Sequence, residues 1–159
     1  MDELFNILAR FSRSVYEGVA KRNLILLARL ISGMGKVEQQ KCRSNMFARY
    51  ANMLEYLSVD ELKYLADFIS YYSKPGKDRP LWGLEETKLQ ENMLADVLLQ
   101  KGVFGSGFEV WQEENDDWKN PSRFPSVIRT KLTYYLSADM QDIVDRYGVD
   151  WAEIANMEI

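Results

Sequence analysis

Five carboxylates gather between Glu109 and Asp117, with Trp111 inside the run and Trp118 just after it. Acids at this density could ligate a hard cation, imitate a phosphate backbone or dock on a basic protein. Calcium needs about six to eight oxygen ligands, and Glu113, Glu114, Asn115, Asp116 and Asp117 lack the alternation and central glycine of an EF-hand loop. We therefore expect no dedicated metal site. Docking suits the composition better, because aromatic anchors carry much of the energy at interfaces. Trp111, Glu113, Glu114, Asp116, Asp117 and Trp118 form the first candidate partner-binding set. The alternative is a solvated tip whose tryptophans fold back onto the core.

Catalysis finds little to work with. The chain contains no histidine, so the commonest general base, nucleophile activator and zinc ligand are all missing. Ser-His-Asp and Cys-His sites are excluded outright. Carboxylates are plentiful, but no spacing singles out a hydrolytic pair. Cys42 stands alone beside Lys41 and Arg43, and a lone cysteine on a helix is usually inert packing. Gly102, Gly105 and Gly107 follow a helical stretch instead of leading from a strand into a helix, so they make no phosphate cradle. We expect a non-catalytic protein with no cofactor and no catalytic residues.

The net charge of −4 conceals an uneven distribution. Residues 1–56 hold nine Lys/Arg against five Asp/Glu, and residues 57–159 hold eleven against nineteen, giving +4 and −8. Nucleic acid would therefore meet the N-terminal part, through Arg10, Arg13, Lys41 and Arg49, since phosphate neutralisation supplies most of such affinity. That is the alternative reading, a nucleic-acid-associated regulator. The densest apolar run, residues 24–31, is far short of the roughly 20 residues needed to span a bilayer and contains Arg29. The acidic start lacks the features of a signal peptide, and the single cysteine suits a reducing compartment, so a cytoplasmic protein with no membrane partner is expected.

Helical periodicity dominates the elements that must carry these groups. Leu4, Leu8, Phe11 and Val15 alternate spacings of four and three and predict one buried stripe on a first helix starting near Asp2. A second helix is expected over residues 20–32, stopped by Gly33 and Gly35. A third spans residues 38–57, with Phe47, Tyr50, Leu54 and Leu57 inward. Ser58 and Glu61 make a capping box for a fourth, whose core face carries Leu62, Leu65, Ile69 and Tyr72. Tyr64, Phe68 and Tyr71 form a second, aromatic stripe on that helix, which a partner or a second copy of the chain could cover.

After a Pro/Gly-containing loop at residues 74–80, a fifth helix is expected over residues 84–101, with Leu89, Met93 and Val97 inward and Gly102 as its left-handed stop. Residues 108–112 and 128–136 are the strand candidates, joined by a polar stretch over 113–125. A helix at 138–147 and a last turn or two at 151–157 complete the chain.

The order helix, Gly-Val-Phe, strand, long loop, strand, Tyr135-Leu-Ser-x-x-Met-x-x-Ile-Val resembles the back half of a winged-helix domain over residues 84–147. More loosely, residues 22–144 resemble the abortive-infection alpha-type family of bacterial and prophage proteins. There an Arg/Leu-rich helix precedes one ending in Leu-x-x-Leu-Ser-x-x-Glu-Leu, matched here by Leu54-Glu-Tyr-Leu-Ser-Val-Asp-Glu-Leu62. The second resemblance implies a role in phage–host conflict and brings no chemistry with it. The first implies a wing, yet this wing is acidic where a DNA-gripping one is basic. The expected architecture is a single, mainly α domain: a helical bundle at 1–73 and a small winged-helix-like β-hairpin part at 84–147. Its expected function is protein–protein interaction through the acidic hairpin or the aromatic helix face.

Overall fold

The computed structural model describes residues 2–36, 43–72, 89–113 and 127–157. Helices α1 (Asp2–Tyr16), α2 (Lys21–Lys36), α3 (Arg43–Leu54), α4 (Val59–Tyr72) and α5 (Leu89–Gln100) precede strands β1 (Phe104–Glu113) and β2 (Val127–Leu136), and α6 (Ala138–Arg146) and α7 (Trp151–Ala155) follow. The protein is mainly helical, with one antiparallel hairpin near the C-terminus running from Phe104↔Leu136 to Glu113↔Val127. Among the described residues, no helix is long and apolar enough to cross a membrane. The expected starts at residues 38–42 and 84–88, and the loop at 74–80, lie outside the described residues.

Local signals set several boundaries. The Ser58 amide donates to Glu61 Oε2 at 2.7 Å and the Glu61 amide to Ser58 Oγ at 3.2 Å, the reciprocal pair that opens α4. Lys101 Nζ also donates to that Glu61 oxygen, at 2.7 Å, tying the end of α5 to the start of α4. Gly102, at φ 76°, closes α5: its own amide donates to Leu99 O and the Val103 amide to Leu98 O. This double bond is the Schellman cap, which needs the left-handed conformation that glycine adopts without strain.

The core brings together Leu26, Leu27 and Leu30 of α2, Phe47, Tyr50 and Leu54 of α3, Leu62 and Leu65 of α4, Leu98 of α5, and Met140 and Ile143 of α6. Trp151 and Ile154 of the short α7 are buried in it too. Tyr50 and Tyr147 meet at a ring-centroid distance of 6.0 Å, and the Tyr50 hydroxyl donates to Asp142 Oδ2 at 2.6 Å. Burial, then that carboxylate, raises the Tyr50 phenol above its ordinary value.

Three expectations are corrected. Gly33 and Gly35 do not stop α2, which runs through them to Lys36. A Cβ at Gly33 would sit 2.8 Å from both Cβ and the carbonyl oxygen of Tyr147, so this glycine lets α2 approach the end of α6 closely. Among the described side chains of α5, Ala95 and Leu98 are buried and Val97 is half-buried, while Met93 is exposed.

The largest correction concerns α1. Its buried residues are Ile7 and Ser14, whereas Leu4, Leu8 and Val15 of the expected inner stripe are 59%, 48% and 50% exposed; only Phe11 packs partly on the core. The cause is polar. Glu55, at 1% exposure, lies beneath α1 and accepts from Ser14 Oγ and, at 2.6 Å, from Arg10 Nη2, which also donates to Asn52 Oδ1 at 2.9 Å. A buried carboxylate deprived of its partners costs about 3–5 kcal/mol, and this orientation of α1 keeps Glu55 paired. The helix is turned to satisfy Glu55, and its apolar stripe faces out.

Candidate functional site

The hairpin has a root and an arm. On one sheet face Phe104, Tyr134 and Leu136 are buried, and the Phe104 ring stacks at 4.7 Å from Phe68 and 6.2 Å from Tyr64 of α4. Tyr134 donates its hydroxyl to Asp96 on α5, and burial followed by that bond pushes its pKa up to about 12. Side chains two positions apart along a strand share a face. The same face therefore continues outward through Phe108, Val110 and Leu132, which are 75%, 61% and 40% exposed, with Phe108 directly opposite Leu132. An apolar surface that begins in the core thus runs out along the arm into solvent.

The opposite face explains the glycines. Gly105 and Gly107 lie within β1, which begins at Phe104, four residues before the expected start at Phe108. The Tyr135 ring crosses over both glycines, occupying the space that a Cβ at Gly105 would need. Thr133, fully buried, donates from Oγ1 to the Gly107 carbonyl at 3.1 Å. Glycine inside a strand commonly marks such a close approach.

The expected sites fare differently. Trp111 and Glu113 occupy β1, in register with Arg129 and Val127. Glu114, Asp116, Asp117 and Trp118 lie outside the described residues, as do the side chains of Trp111 and Glu113. The aromatic stripe of α4 is closed from within the chain: Phe68 is 3% exposed, and Tyr64 is half-buried against Phe104. Tyr71, half-buried, is also engaged within the chain. The stripe is thus largely a seat for the hairpin root and leaves little for a partner to cover.

Among the basic residues, Arg10 is held by Glu55 and Arg49 by Asp139, whose hydrogen bond raises the Arg49 pKa. Arg13 is exposed on α1, and Lys41 lies outside the described residues. Two of the three described cations of this set are therefore neutralised within the chain. A cavity of about 230 Å³ opens between α1, α2 and α3, lined by Leu4, Ile7, Ile31 and Met34 with Glu3 and Arg43. It falls below the roughly 300–1,000 Å³ of ordinary small-molecule sites.

The sequence missed Phe108, Val110 and Leu132 as surface groups because alternation marks which residues share a face, not how far the core extends along it. The exposed face of α1 was missed because its stripe was assigned to the core. No family model, curated protein or solved structure matches this chain.

Proposed function

We propose that this chain is a non-catalytic, cytoplasmic protein-binding module that holds its partner with the hairpin arm. The observation that carries this reading is the continuous exposed face of Phe108, Val110 and Leu132. Apolar surface organised in this way is what the centre of a protein interface uses. The sheet has two strands among the described residues, so each strand also offers an edge to which an extended segment can add. The acidic residues Glu113, Glu114, Asp116 and Asp117, with Trp111 and Trp118, favour a segment rich in Lys or Arg.

The helix–hairpin–helix order of α5, β1, β2 and α6 suits the winged-helix resemblance, and the abortive-infection resemblance would set such a module in phage–host conflict. A regulator gripping nucleic acid through Arg10, Arg13, Lys41 and Arg49 is supported less well, because Glu55 and Asp139 already neutralise two of the four.

Affinity capture from the native host with the intact chain and two variants tests the proposal. The Phe108→Ser/Leu132→Ser chain should lose the captured protein while keeping its thermal transition. Neutralising Glu113, Glu114, Asp116 and Asp117 together should weaken capture and flatten its salt dependence. Capture that is indifferent to both changes would sink the reading.

A further inference from the structure

The outer face of α1 gathers five of the exposed large apolar residues among those described. Leu4, Phe5, Leu8, Val15 and Tyr16 are 59%, 72%, 48%, 50% and 93% exposed. Taking roughly 150–250 Å² for a whole large side chain, they present on the order of 600 Å², close to the ~800 Å² that each partner contributes to a standard interface. Their arrangement is specific as well. Leu4, Leu8 and Val15 run along one side of this face, and Phe5 and Tyr16 along the other. A membrane surface suits the helix poorly, since interfacial helices are rich in Lys and Arg on the polar side. This one carries Asp2, Glu3 and Glu17 against Arg10, already paired with Glu55, and Arg13.

We propose that the occupant is a second copy of this chain, with the two α1 helices packed antiparallel across a two-fold axis. Antiparallel packing aligns the helix dipoles favourably and brings the first turn of one helix toward the last turn of the other, which carries Arg13. The face is self-complementary. Phe5 and Tyr16 stand roughly three turns apart along one line of the helix, as do Leu4 and Val15 on a neighbouring line, so each bulky residue meets its counterpart from the other end. The seam spans only about two heptads, so the dimer is of moderate affinity and exchanges with monomer.

Sedimentation equilibrium of the full chain, over roughly two decades of concentration, should show a monomer–dimer equilibrium. Phe5→Ser/Tyr16→Ser alters two strongly exposed residues, so it should keep the helical circular dichroism and melting temperature while weakening association at least roughly tenfold. Phe108→Ser on the arm should leave the dimer intact, which separates this interface from the one proposed for the partner. A monomer at every concentration overturns the inference, as does a dimer unmoved by the Phe5/Tyr16 change.

Discussion

Two helices of this protein carry an apolar stripe beyond the residues that build the central core, and the fold treats them oppositely. On α4, Phe68 and Tyr64 receive the ring of Phe104 from the root of the hairpin, and Phe68 is left 3% exposed. On α1, Leu4, Leu8 and Val15 stand about half exposed, while Ile7 and Ser14 turn inward. Periodicity signals that a face is suited to being covered; what covers it depends on contacts remote in sequence. For α4 the cover comes from the same chain, and for α1 the described residues leave the stripe about half open.

Mutations can break this contrast. Phe68→Ala should have the largest effect, about 3–5 kcal/mol in urea unfolding, because it empties a site filled by the Phe104 ring. A loss below 1 kcal/mol would mean that the α4 stripe is as open as that of α1. Gly33→Ala should come next. The added methyl meets the Tyr147 backbone at 2.8 Å, and about 1–3 kcal/mol of overpacking outweighs the gain of up to ~1 kcal/mol in helix propensity.

The hairpin root also has a signature in pH. The folded state holds the Tyr134 proton up to a pKa of about 12, against about 10 when unfolded. The stability this contributes is complete below pH ~10 and is lost as pH rises through the folded value. Wild-type stability should therefore fall across that window, and Tyr134→Phe should flatten the fall. The smallest effect belongs to α1: Phe5→Ala should change stability by no more than about 0.5 kcal/mol. A cost comparable to that of Phe68→Ala would show that Phe5 is covered within a single chain.

Much of this was legible in the sequence where the cause is local. Ser58 and Glu61 cap each other across one turn, Gly102 ends α5 with its neighbours' carbonyls, and Phe47, Tyr50 and Leu54 share one face of α3. What was not legible depends on distant residues. The orientation of α1 is set by Glu55, Gly33 is needed because Tyr147 passes beside it, and the α4 stripe is closed by Phe104. In the candidate site, the strand pairing could be read from β-branched and aromatic residues. The point at which the arm leaves the core could not, since Phe104 and Phe108 look alike in sequence yet lie at 2% and 75% exposure.

The polar clasp of Ser14 and Arg10 on Glu55 separates two properties that most helices must satisfy together. Because α1 is oriented by three side chains on its inner side, the identities at Leu4, Phe5, Leu8 and Tyr16 can change with little penalty to folding. Partner choice and fold integrity become independently variable on this helix: the inner residues answer to stability, and the outer ones are free to diversify.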